Sequence, residues 1–114
     1  MRELFKIWPS AISKEQISKI VEISSKKPMI DASVFSTYKP MQKIRSSKIC
    51  WITDQWINEL LWKYVKSANE LNFHVNVDNN SEIQFTEYRS EENGHYDWHH
   101  DVNWGSEDNF NRKI

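Results

Sequence analysis

The chain has 114 residues, with six Trp, five Phe and four Tyr, only two Gly and three Pro, and a formal net charge of −1. That aromatic content can bury enough surface to offset chain entropy, so a disordered or collagen-like chain is excluded, and the length holds one small domain. With near-zero net charge and no apolar run long enough for a bilayer, neither nucleic acid nor membrane is expected as a partner.

Charge is unevenly spread. Residues 1–66 carry twelve Lys or Arg against six Asp or Glu, and residues 67–114 carry three against ten. Two oppositely charged halves that attract each other are the simplest expectation. Residues 1–10 begin with charge but contain no apolar stretch or small-residue cleavage site, so no secretory signal is expected. The single cysteine, Cys50, cannot form an internal disulfide, which fits a reducing, cytoplasmic setting.

In chain order, residues 2–8 alternate loosely and predict a short strand, interrupted by Pro9. Ser13 and Gln16 form a capping-box pattern. With Ile17, Ile20 and Val21 on one face, they predict a helix over 14–26 that Pro28 stops. Residues 29–48 read as irregular. Residues 48–52 (Lys-Ile-Cys-Trp-Ile) predict a buried strand, and Thr53 or Asp54 caps a second helix over about 55–70. Its core positions are Ile57, Leu60, Leu61, Tyr64, Val65 and Ala68. After Leu71 the period becomes 2. Phe73, Val75 and Val77 predict a strand, a turn follows at 78–81, and Ile83 to Tyr88 predict another. A loop containing Gly94 leads to a third strand from about Tyr96 to Trp104. Two helices followed by antiparallel strands make the fold class α+β. The expected organisation is a single partial domain, with a helical part at 1–71 and the start of a β-barrel at 72–114.

The last strand carries the chemistry. Tyr96, Trp98, His100, Val102 and Trp104 share one face, and Asp97, His99 and Asp101 share the other. His99 and Asp101 at i and i+2 can bring an imidazole nitrogen and a carboxylate oxygen to one metal ion. A facial set of two His and one carboxylate is the ligand pattern of iron(II) oxygenases. His-x-Asp alone is a weak signal, since chance gives about 0.2 matches in such a composition. Its surroundings are more specific. Gln84-Phe85-Thr86-Glu87-Tyr88, the Gly94 loop and Tyr96-Asp97-Trp98-His99-His100-Asp101 together resemble the prolyl 4-hydroxylase type of 2-oxoglutarate- and iron(II)-dependent oxygenases. That family carries a Gln-x-x-x-Tyr strand, a loop and a Tyr-x-x-His-x-Asp strand. The Tyr-Asp-Trp-His form looks most like the branch of PKHD-type hydroxylases from bacteria and phages. More loosely, Phe5 to Ile20 resembles the family's opening strand-to-helix entry, and Arg45-Ser46-Ser47 before Trp51-Ile52 resembles its Arg-x-Ser segment.

The resemblance implies a double-stranded β-helix, or jelly roll, with His99 and Asp101 as iron(II) ligands. Tyr88 would be the hydrogen-bond donor to the distal carboxylate of 2-oxoglutarate. Gln84, Tyr96, Trp98 and His100 would surround these groups. It implies a dioxygenase that hydroxylates an unactivated C–H bond of a small-molecule or peptidyl substrate such as proline, with ascorbate as an accessory reductant. The family completes its site with a second His and a basic residue downstream of His-x-Asp. Here no His follows His100, and only Arg112 and Lys113 are basic beyond it. An eight-stranded barrel needs on the order of 80 residues, and 42 remain from Phe73. The expectation is therefore the N-terminal portion of an oxygenase, inactive alone, with an open strand edge that favours self-association. Two alternatives stay open. One is a non-catalytic domain completed by a partner chain, and the other is a zinc or nickel module using His95, His99, His100 and Asp101.

Overall fold

The computed structural model describes residues 4–32, 44–78, 81–99 and 101. Among these the architecture is α+β: two α-helices and two small antiparallel sheets, with no closed barrel. The chain divides into two compact units. One holds residues 1–11, 54–81 and 99–114, the other 12–53 and 82–98.

In the second unit, helix α1 (Lys14–Ser25) starts as the sequence predicts. The Ser13 hydroxyl accepts from the Gln16 amide at 3.1 Å, and the Gln16 side chain accepts from the Ser13 amide at 3.0 Å. This reciprocal cap satisfies two of the donors that a helix start leaves open. Strand β1 is Ile30–Asp31, β2 is Arg45–Ser46 and β3 is Lys48–Ile52. Strand β4 is Ile83–Glu87 and β5 is His95–Tyr96. One sheet has the order β1-β3-β4, with Cys50 opposite Phe85 and Ile49 between Ile30 and Thr86; the other pairs β2 with β5. β3 is the central strand of its sheet. Ile49, Cys50 and Ile52 are buried, and the Cys50 thiol donates to the Ser24 carbonyl at 3.8 Å, which ties β3 to the last turn of α1. Helix α1 is thus engaged at its C-terminal turn. Ile17 and Val21, expected in the core, are half exposed.

In the first unit, helix α2 (Gln55–Ala68) buries Ile57 and Ala68 at the two ends of its apolar stripe, with Leu60, Leu61, Tyr64 and Val65 half-buried between them. Full burial of a side chain such as Ile57, 1% exposed, contributes about 1.5–3 kcal/mol. A π-turn (Asn69–Phe73) extends the helix and ends at His74, whose backbone is left-handed. Trp62 donates its indole N–H to the Ser81 hydroxyl at 2.8 Å, and Tyr64 packs edge-on against Trp8 and donates to the Ala11 carbonyl. Among the described residues no helix is long and apolar enough to cross a membrane.

Three expected strands differ. Residues 4–8 form no strand: they lead into Pro9, which lacks an N–H, and Ser10, which is left-handed, and Leu4, Phe5 and Ile7 face solvent. Residues 74–78 form none either, although Phe73, Val75 and Val77 alternate with exposed His74 and Asn76. The Asn69 side chain donates to the Val75 carbonyl at 2.8 Å and accepts from its amide at 2.9 Å, so a side-chain amide takes the place of a neighbouring strand. Finally, of the strand expected from Tyr96 to Trp104, the described residues pair only at Tyr96, with His95 before it. β2 is two residues long, and after the Asp97 amide donates to the Ile44 carbonyl at 2.8 Å no further rung is described. Residues 102–114 lie outside the described residues.

Candidate functional site

Strand β4 carries Gln84, and Tyr88 follows it directly. Within β4 the period-2 alternation puts Gln84 and Thr86 on one side, and the Thr86 hydroxyl donates to the Gln84 side-chain oxygen at 3.1 Å. The same oxygen accepts from the Arg45 guanidinium, Nη2, at 3.1 Å. Arg45 Nε donates to the Ser47 hydroxyl at 2.8 Å, and its guanidinium carbon lies 4.5 Å from the centre of the Tyr96 ring, directly across the β2–β5 pair. Arg45 thus joins β2, β4 and β5, and the two short segments carrying the family resemblance, Arg-x-Ser and Gln-x-x-x-Tyr, meet through their side chains. The sequence named Arg45 only as part of a resemblance. Its spacing held more: residues two apart on an extended chain share a side, so an Arg-Ser hydrogen bond was legible from positions 45 and 47.

Tyr88 follows the last residue of β4 and is 47% exposed. The chain then turns through a short 3-10 segment (Ser90–Glu92) and left-handed Asn93 to Gly94. The Gly94 amide donates to the Arg89 carbonyl at 2.8 Å. A Cβ at Gly94 would lie 2.7 Å from the Arg89 nitrogen and 3.0 Å from the Tyr88 carbonyl carbon, so a glycine is what lets the turn close. Arg89 is hydrogen-bonded to Glu87, and that contact, followed by the charge of the same carboxylate, holds the guanidinium above its ordinary pKa. The Glu91 carboxyl is held below the usual range, first by a backbone N–H and then by the Ser90 hydroxyl.

Trp98, expected to pack beside the metal ligands, is fully exposed; with the β5 ladder ended there is no sheet face for it to cover. His99 and Asp101 nevertheless converge: Nε2 and Oδ1 lie 3.4 Å apart, both on side chains open to solvent. If an ion bound here, His99 Nε2 and Asp101 Oδ1 would be the two atoms to hold it. The donors, a borderline imidazole nitrogen and a hard carboxylate oxygen, are those of a facial iron site, so the pair fits two of its positions. Among the described residues no group of three or more His, Cys, Asp or Glu is placed to hold an ion. His100 lies outside the described residues. The His95 ring nitrogen Nδ1 is 2.7 Å from the Asn93 carbonyl, which can only accept, so Nδ1 donates and the ring is tethered to the turn. Cys50 is buried, as a small hydrophobe is expected to be.

Gln84, Tyr88 and Tyr96 belong to one compact unit, His99 and Asp101 to the other. No family model, curated protein or solved structure matches the chain.

Proposed function

We propose that the chain is the N-terminal portion of an iron(II)- and 2-oxoglutarate-dependent hydroxylase built on a double-stranded β-helix. The observation that carries this reading is the approach of His99 Nε2 to Asp101 Oδ1 at 3.4 Å. In this reading His99 presents its Nε2 lone pair with the ring proton on Nδ1, and Asp101 supplies a negative oxygen that offsets part of the ion's charge. Both donors must be deprotonated to bind. The Tyr88 hydroxyl donates to the distal carboxylate of 2-oxoglutarate, and Gln84 and Tyr96 hold the strand ends that frame it. When bound, iron couples decarboxylation of 2-oxoglutarate by O₂, giving succinate and CO₂, to transfer of the second oxygen atom into a substrate C–H bond.

With two protein ligands, residues 1–114 bind iron weakly and release no succinate above background. The substrate is a small molecule or a peptidyl side chain such as proline. Titration with a divalent ion tests the reading: His99→Ala and Asp101→Ala must each weaken binding, and unchanged binding in either would refute it.

A further inference from the structure

We propose that Asn93–Gly94 is a site of self-modification, where the chain converts its own asparagine to aspartate and isoaspartate. It is the one Asn-Gly pair in the sequence, and the reaction is independent of the hydroxylase reading. Water is the only co-reactant. The Gly94 amide nitrogen loses its proton and bonds to the carbonyl carbon of the Asn93 side chain. The carbon–nitrogen bond of that side chain breaks, and its nitrogen takes up a proton and leaves as ammonia. Water then opens the cyclic imide at one of its two carbonyls. Opening at the former side-chain carbonyl gives aspartate. Opening at the main-chain carbonyl gives isoaspartate, whose backbone runs through the former side chain.

The turn around this pair both promotes and restrains the reaction. Asn93 is exposed, so water reaches its side chain and ammonia can leave. Gly94 has no side chain to shield the attacking nitrogen. His95 Nδ1 donates to the Asn93 carbonyl oxygen at 2.7 Å, and that oxygen belongs to the same peptide group as the Gly94 nitrogen. Deprotonating the nitrogen spreads negative charge onto the oxygen, and hydrogen bonds to charged acceptors are the stronger ones. His95 therefore eases loss of the Gly94 proton. The restraint is the Gly94 N–H itself, which donates to the Arg89 carbonyl at 2.8 Å and must let go before the nitrogen attacks. A short exposed turn of this kind opens locally at little cost. Once formed, the imide nitrogen carries no hydrogen, so the bond to Arg89 is lost. Isoaspartate lengthens the main chain between Tyr88 and His95, and either product adds negative charge beside Glu91 and Glu92. Both changes loosen the hold of the turn on the Ser46–His95 rung.

The test incubates the full chain, folded and metal-free near neutral pH, in water carrying a heavy oxygen isotope, and reads its peptides by mass spectrometry. A parallel sample unfolded in urea sets the rate with the turn open. Asn93 should take up heavy oxygen as it loses ammonia, yield isoaspartate as well as aspartate, and convert faster than any other asparagine of the folded chain. One hydrogen bond of ordinary strength restrains the site, so folding should slow it by only about two- to tenfold. His95→Phe should slow the folded chain by a further factor of about five and leave the unfolded rate unchanged. Conversion in the unfolded sample with none in the folded one would overturn the proposal, as would aspartate formed without isoaspartate. A His95→Phe chain that reacts as fast as the wild type, or faster, would refute the part given to His95. The wild-type comparison decides the matter even if that variant folds poorly.

Discussion

Replacing Gly94 by alanine tests the turn that joins the Tyr88 strand to the His-x-Asp segment. The added Cβ would sit 2.7 Å and 2.9 Å from the nitrogen and oxygen of Arg89 and 3.0 Å from the Tyr88 carbonyl carbon. All three are backbone atoms, so no flexible side chain can swing away. Gly94 does not have a positive φ, and the cost is therefore crowding, not an inaccessible backbone conformation. Crowding of this kind costs about 1–3 kcal/mol. Opening the turn to relieve it endangers the Gly94–Arg89 hydrogen bond of 2.8 Å, worth roughly 0.5–1.5 kcal/mol. A total of about 3 kcal/mol lowers the Tm of a domain this size by about 12–24 °C. Urea unfolding followed by tryptophan fluorescence and circular dichroism measures it. The adjacent Asn93, with φ of 52°, is the control: Asn93→Gly stays within about 0.5 kcal/mol or gains stability, because glycine adopts that conformation without strain. Should Gly94→Ala match the wild type within about 0.5 kcal/mol, the close-approach argument is wrong.

Two further perturbations probe side chains that hold irregular segments. Asn69→Ala removes both hydrogen bonds to the Val75 backbone and is expected to cost about 1–3 kcal/mol, with faster hydrogen exchange at the Val75 amide; unchanged exchange would exclude the clamp. The Lys48 ammonium is held above its ordinary pKa, first by its hydrogen bond to Asp31 and then by the charge of that carboxylate. A raised value means the contribution is complete below the ordinary lysine range and is lost as pH rises through the shifted value. Titration of the Lys48 resonance in Asp31→Asn should fall back toward the ordinary value, and no change would show that Asp31 is not the cause.

The elements legible in the sequence are those whose signals are local. The Ser13–Gln16 box, the apolar run ending at Ile52, the stripe from Ile57 to Ala68 and the alternation of residues 83–87 each carry their own cause. The misread segments depend on what lies beside them. Phe73 to Val77 has the periodicity of a strand, and its burial alternates accordingly, but Asn69 satisfies the Val75 backbone that a strand would have paired. Residues 4–8 alternate too, yet no strand pairs with them in the described structure. On the candidate site, the i, i+2 spacing put His99 and Asp101 on one face of an expected strand; they approach to 3.4 Å although β5 ends at Tyr96. Arg45 was not legible, because its burial is created by Gln84, 39 positions away, and by Tyr96 across the β2–β5 pair.

The central claim is that His99 and Asp101 hold a divalent ion together. Manganese(II) titration of residues 1–114, read by electron paramagnetic resonance, tests it most directly. The account predicts weak saturable binding that falls at least about tenfold in His99→Ala and in Asp101→Ala, since losing a ligand costs no less than losing a group that orients one. Binding in His95→Ala is expected to match the wild type. Equal binding in all four proteins, or a loss caused by His95→Ala as large as that from His99→Ala, would contradict it.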